Sequence, residues 1–271
     1  MRNHRKLSSL VLLSSLTAVG CMKSDGGSSL DSAADAVDSS DSVAAEGNVM
    51  MAFTDGADGQ SLTAIDAPTV IANMKTNIPL RWQCVAQGTA TVSQSGNDIT
   101  VTLNDCTGPR GLLHVTGTID LVVTVDPSGV ITVQGTATDL QVNSATLSFD
   151  STATYGVIGT SHTLTVQSQG TGTGPRGTEI DHNGDYTISW DTASQCGSIN
   201  GQWSTDFSTT TASASRSNMV DISACVGGCP TGSLVHKFLG NQSLTITFDG
   251  SNVATWSLST GKSGTVNLAC Q

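Results

Sequence analysis

Covalent chemistry in this 271-residue chain rests first on its seven cysteines. Six of them, Cys84, Cys106, Cys196, Cys225, Cys229 and Cys270, follow the first 80 residues. An even set of this kind suits disulfide formation in an oxidising compartment. Cys84 and Cys106 flank one hairpin, Val85 to Asp105, and are expected partners. Cys225 and Cys229 stand four apart and can close a tight loop, which leaves Cys196 to pin the C-terminal strand through Cys270. Six cysteines admit many pairings, so the assignment stays open. Cys225, Cys229 and His236 also spell a partial zinc set. No second cysteine pair mirrors them, and an oxidising compartment favours bridges, so neither a metal nor a cofactor is expected.

The remaining reactive types form no complete constellation. Ser259-Thr260-Gly261-Lys262 has the Ser-x-x-Lys spelling but falls in an expected turn, not at the start of a helix. Gly261-Lys262-Ser263 looks like the tail of a phosphate loop, with Trp256 where the first glycine belongs. His114, His162, His182 and His236 each stand alone in or beside a strand and read as structural. Glu179 and Asp181 point the same way along one strand, as a hydrolase's paired carboxylates would. With 4% aromatic residues available to hold a sugar, they read instead as solvent-face acids. Asp181-His182-Asn183-Gly184-Asp185 spells a fragment of a calcium loop, but its glycine comes too early and no Glu closes it. The runs Thr100-Val101-Thr102, Thr116-Gly117-Thr118, Thr136-Ala137-Thr138 and Thr245-Ile246-Thr247 invite an ice-binding reading. Their spacing is irregular, and threonine suits any half-exposed sheet.

The elements that must position these residues are strands. Val115, Ile119, Leu121, Val123 and Val125 alternate with polar residues, and Leu147, Phe149, Ala153 and Tyr155 repeat the period of two. Tyr186, Ile188 and Trp190, then Leu244, Ile246 and Phe248, do so again. Clean alternation fits antiparallel sheets with one wet face. Ser95-Gly96-Asn97-Asp98, Asp126-Pro127-Ser128-Gly129 and Asp249-Gly250-Ser251-Asn252 read as turns. Asn183-Gly184 reads as a two-residue hairpin between Thr178–His182 and Asp185–Trp190. One helix is expected before the sheet, capped by Asp66, with Pro68 in its first turn and Val70, Ile71 and Met74 on one face. The expected fold is all-β: a large twisted antiparallel meander sheet or incomplete barrel, with one short N-terminal helix packed against it.

The N-terminus carries an address. Arg2, Arg5 and Lys6 precede a short apolar run, Leu7 to Val19, too short to span a bilayer permanently. Leu16-Thr17-Ala18-Val19-Gly20-Cys21 resembles a bacterial lipobox, in which Cys21 is diacylated and becomes the mature N-terminus; Ala18 stands where leucine is usual. Met22 after that cysteine favours the outer membrane over inner-membrane retention. Cleavage removes three of the 11 basic residues and leaves 8 against 22 acidic ones, a net charge of −14. That charge, without a basic tract, argues against nucleic acid. Residues 22–48, with Asp31, Asp35, Asp38 and Asp41, have the composition of a solvated acidic leash, not of a calcium site. The expected organisation is a leader over 1–20, a lipidated tether over 21–60 and one β-domain over 61–271. Thr107-Gly108-Pro109-Arg110-Gly111 recurs at Thr173-Gly174-Pro175-Arg176-Gly177, which points to duplicated halves near 84–170 and 171–271.

From Cys84 onward the chain resembles a family of uncharacterised bacterial secreted lipoproteins. The residues that carry the likeness are Asn104-Asp105-Cys106 with the two Thr-Gly-Pro-Arg-Gly strings, Trp190-Asp191 with Cys196, and Gly201-Gln202-Trp203-Ser204-Thr205. Cys225 with Cys229-Pro230, Phe248-Asp249-Gly250 and Gly264 through Cys270 complete it. The resemblance implies an all-β extracytoplasmic domain and assigns no activity. The expected role is non-enzymatic: a membrane-anchored lipoprotein of the cell envelope that is structural or binds at a surface, with an envelope or surface protein as its partner. The alternatives are a carrier of a lipid or other hydrophobic small molecule in the concave face, and a hydrolase.

Overall fold

The computed structural model describes residues 67–270, apart from 82, 108–113, 143–144, 175–176, 211–212, 238–241 and 269. The leader, Cys21, the tether, Asp66, most of the first Thr-Gly-Pro-Arg-Gly string, and Pro175 and Arg176 of the second lie outside the described residues. Among the described residues one helix, α1 (Ala67–Arg81), precedes thirteen strands. These are β1 (Gln83–Ser95), β2 (Asp98–Thr107), β3 (Val115–Val125), β4 (Ile131–Val142), β5 (Ala145–Ile158), β6 (Ser161–Thr173) and β7 (Glu179–Asp191). After them come β8 (Cys196–Ser208), β9 (Ser213–Cys225), β10 (Thr231–Lys237), β11 (Ser243–Asp249), β12 (Val253–Leu258) and β13 (Ser263–Asn267). Each strand pairs with its sequence neighbours in the order β1 to β13, all antiparallel, and the sheet does not close. The alternation therefore produces the expected meander with one helix against it.

Turn chemistry fixes the hairpins. Asp126 Oδ1 accepts from the Ser128 hydroxyl (2.6 Å) and from the backbone N–H groups of Ser128 (2.8 Å) and Val130 (2.9 Å). Those donors hold its carboxyl below the usual range. Asp191 does more: it receives the Ser194 N–H (2.6 Å) and the Thr160 hydroxyl (2.6 Å), so it ties the β5–β6 turn to the β7–β8 turn and stays well below the usual range. The expected hairpin at Asn183-Gly184 does not form. Both residues lie inside β7, whose thirteen residues pair with β6 in unbroken register from Glu179↔Thr173 to Asp191↔Ser161. Gly184 faces the core, and a Cβ there would come 2.8 Å from Ser168 Oγ. Its glycine serves close packing, and continuous pairing on both sides outweighs the local turn preference.

The first five strands are bent. Register shifts fall between Cys84 and Thr89, Leu103 and Cys106, Thr116 and Ile119, and Ala137 and Leu140. Such bulges kink strands and increase twist, and here they run as a line across β1 to β5. Asp105 (φ 49°) and Asp139 (φ 54°) sit in this line. The resulting curve accommodates α1, which packs on β1 and β3. Val70, Ile71, Met74 and Ile78 are buried there with Ile119, Leu121, Val133 and Leu140. A second, smaller core joins Val220, Ile222, Phe248 and Ala254 under β9 to β12.

All six cysteines after residue 80 are bridged: Cys84–Cys106, Cys196–Cys225 and Cys229–Cys270. The first pair is as expected. The Cys225–Cys229 loop and the Cys196–Cys270 pin are not what forms. Cys196 lies directly opposite Cys225 in the β8–β9 register, as Cys84 lies opposite Cys106. The turn after β9 then carries Cys229 to Cys270, three residues beyond the end of β13. Sequence separations of 22, 29 and 41 make each bridge worth about 3–4 kcal/mol in the chain-entropy picture. Non-reducing peptide mapping should recover these three pairs; a Cys196–Cys270 peptide would contradict the register. Met74→Ala should lower unfolding free energy by about 2–5 kcal/mol in urea titration; an unchanged midpoint would mean that α1 does not close the core.

Candidate functional site

The core face of the sheet collects the histidines. His162 Nδ1 shares a 2.6 Å hydrogen bond with the Tyr155 hydroxyl, and its ring stacks on Trp190 with centroids 5.0 Å apart. His182 is 6% exposed; its Nδ1 lies 2.9 Å from Thr205 Oγ1, and its Nε2 has no hydrogen-bonding partner among the described residues. A cavity of about 20 Å³ opens beside it, between Phe149, Gly170 and Ile180. His236 Nδ1 contacts Asn218 Oδ1. Burial pushes His182 down to about 4, and burial together with Arg216 pushes His236 down to about 4. His114 stands apart, exposed, with Nδ1 2.7 Å from Asp105 Oδ1.

The candidate acids face the other way. Glu179 and Asp181 alternate with the buried Ile180 and His182, so they project from the outer face. Glu179 accepts a hydrogen bond from Ser208, and Asp181 pairs across the ladder with Asp206. The sheet thus separates these carboxylates from the histidines of the core face. Cys225 and Cys229, grouped as partial zinc ligands in the sequence, are bridged to different partners. Among the described residues no group of three His, Cys, Asp or Glu side chains converges to hold a metal. Ser259 to Lys262 form the β12–β13 turn, closed by Leu258 N–H donating to Lys262 O at 2.7 Å.

What the sheet does assemble is a polar outer face. One cross-strand row starts at Thr124 and passes through Thr132, Thr154, Thr165 and Thr187. It continues through Asn200, Asp221 and Ser233 to Thr247, Thr255 and Thr265. Eleven strands contribute, and every residue can hydrogen-bond. Of the threonine runs in the sequence only Thr245-Ile246-Thr247 contributes to this row, through Thr247; Thr100 and Thr136 lie in a different row, on either side of Asp120. Lateral bonds fix some of these groups, including Thr165–Thr187 at 3.3 Å and Ser189–Ser198 at 2.9 Å.

Over β7 to β10 the outer face holds an open groove of about 280 Å³. Register gives it two rows: Asp185, Gln202, Met219 and Val235, then Asn183, Ser204, Ser217 and Lys237. Four strands at about 4.8 Å spacing and two residues along each make a patch of roughly 14 by 7 Å. It offers two amides, a carboxylate, two hydroxyls and an ammonium around Met219, which is 54% exposed. Amide and carboxylate oxygens accept from ligand hydroxyls while amide N–H and Lys237 donate, and Met219 and Val235 meet C–H surface. The sequence held one signal for this patch, the alternation that sends Asn183 and Asp185 outward. The partners on three other strands needed the register.

The chain matches none of the family models, curated proteins or solved structures with which it was compared.

The buried imidazoles make stability acid-sensitive. A histidine kept neutral by burial binds its proton in the unfolded chain first. Its stabilisation is full above pH 6.5 and is lost as pH falls toward 4. For His182 the loss amounts to about 3 kcal/mol. His182→Gln should therefore lose about 3 kcal/mol less than the wild type between pH 7 and pH 4 in urea unfolding. Equal losses in the two proteins would remove His182 from the explanation.

Proposed function

We propose that the protein is a non-enzymatic lipoprotein of the cell envelope, anchored through diacylglycerol on Cys21, whose outer sheet face binds a hydroxyl-rich polymer. The groove over β7 to β10 carries this reading, because it concentrates both senses of hydrogen bonding around a small apolar centre. Its apolar lining is small, Met219 and Val235 with Trp203 from between the two outward rows, so each repeat unit is held by a few polar contacts and little apolar area, and weakly. Weak contact repeated along a chain suits a surface polysaccharide better than the single small substrate of an enzyme. The separation of Glu179 and Asp181 from the histidines also favours binding over hydrolysis. The core face gives less support to carriage of an apolar molecule. Helix α1 and close-packed side chains occupy it, and the space beside His182 is about 20 Å³, room for one water. The lipobox and the acidic leash support the anchor and its reach from the membrane. Among the described residues no helix is long and apolar enough to cross a membrane.

Two measurements test this. Mass spectrometry of the N-terminal peptide from native protein should find diacylglycerol on Cys21; an unmodified thiol there would refute the anchor. Polysaccharide extracted from the native envelope should bind the protein. The double variant Asn183→Ala with Gln202→Ala, both exposed, should keep the fold and bind about tenfold to thirtyfold more weakly, from about 1 kcal/mol per lost hydrogen bond. Equal binding by variant and wild type would move the site off the groove.

A further inference from the structure

The open sheet leaves β13 as an edge, and its chemistry is unusual for one. Exposed edges are ordinarily blunted by charge, proline or a bulge. Ser263-Gly264-Thr265-Val266-Asn267 has none of these, and its register with β12 is unbroken. At the other edge, β1 carries the bulge between Cys84 and Thr89. Nor is β13 left to fray: the Cys229–Cys270 bridge staples the chain three residues beyond it.

The direction of its free backbone groups follows from two bonds. Lys262 O accepts from Leu258 N–H, and Leu268 N–H donates to Asn252 O, both at 2.7 Å and both toward β12. Backbone N–H and C=O groups alternate sides along an antiparallel strand. Gly264 and Val266 therefore bond β12, and Ser263, Thr265 and Asn267 present their N–H and C=O outward.

We infer that β13 is a dimerisation edge and that its occupant is β13 of a second copy, paired antiparallel about a two-fold axis at Thr265. That register matches Thr265 with Thr265 and Ser263 with Asn267 of the second copy, so all three outward pairs of groups on each strand are satisfied. The side chains are self-complementary as well. Val266 is 51% exposed on the core side. It comes opposite Gly264 of the other copy, where the Trp256 ring lies so close that a Cβ would stand 2.8 Å from it. Each valine thus meets bare backbone beside an indole, twice by symmetry, as an isologous contact requires. The two Lys262 residues lie at opposite ends of the paired strands, about 20 Å apart. On the outer side, the threonine row continues through the axis as Thr255, Thr265, Thr265 and Thr255. Both outer faces point the same way, so the dimer presents two grooves to one side.

The test uses the full mature chain, solubilised from its envelope, and reads assembly without any ligand, so its result is separate from the polymer-binding reading. Sedimentation should give twice the monomer mass for the wild type. Thr265→Cys should form an intermolecular disulfide under air, since paired Cα atoms in this register lie about 5.5 Å apart. Thr265→Pro removes only an outward N–H and should give a monomer with wild-type circular dichroism. A wild-type monomer together with no crosslink in Thr265→Cys would overturn the inference. So would a mixed disulfide between Thr265→Cys and Ser93→Cys chains, which would mean head-to-tail pairing of β13 with β1. If Thr265→Pro misfolds, the crosslink still decides.

Discussion

Burial of one face of a single-layer sheet constrains the whole molecule. A sandwich covers each sheet with the other, and an α/β protein covers its sheet with helices on both sides. Among the described residues there is one helix for thirteen strands. Helix α1 contributes Val70, Ile71, Met74 and Ile78 and can reach only a few strands. The rest of the apolar face is dried by curvature, so that β2 to β8 turn their core residues toward one another and toward the helix. The line of bulges across β1 to β5 is the means of that curvature. It places the two positive-φ aspartates, Asp105 and Asp139, in the strands that wrap α1, while β5 to β10 pair without interruption.

The same constraint explains the distribution of disulfides. Away from α1 the core among the described residues shrinks to four buried side chains, Phe248 with Val220, Ile222 and Ala254, and the strands shorten to seven residues or fewer from β10 onward. Short strands over a small core cannot offset their ordering entropy by burial alone. Two of the three bridges, Cys196–Cys225 and Cys229–Cys270, lie in this half. The first lies at the open end of the β8–β9 hairpin and the second fixes the end of the chain. Covalent closure there does what helix packing does at the other end of the sheet.

The fold was largely legible from the period of two, because each strand's buried set could be read without knowing its neighbours. Val70, Ile71 and Met74 likewise announced the buried side of α1. Pairing was legible only where hairpins were. Cys84 and Cys106 were matched because they flank a short hairpin, and the same argument applies to Cys196 and Cys225 at the ends of Gly197 to Ala224. The nearer Cys229 obscured it. Asn183-Gly184 misled for a related reason. A turn preference is local, whereas the two thirteen-residue ladders flanking β7 act over the whole strand. The groove was illegible because its rows join residues as far apart as Asn183 and Lys237, and no residue type in it is distinctive.

That last point bears on why reactive motifs were a poor guide. Alternation assigns each residue to the dry face or the wet one, and here it sends His162, His182 and His236 inward while Asp181, Asp185 and Glu179 go outward. Acid–base partners brought close in sequence are therefore parted by the thickness of the sheet. Chemistry that needs a converging cluster is hard to build on such a surface. Binding is easier, since a twisted ladder repeats hydroxyls and amides at about 4.8 Å across strands and gains specificity from register instead of from rare side chains. A surface of this kind grows stronger with length. An edge strand that continues the ladder into a second copy extends the array without adding a residue to the chain.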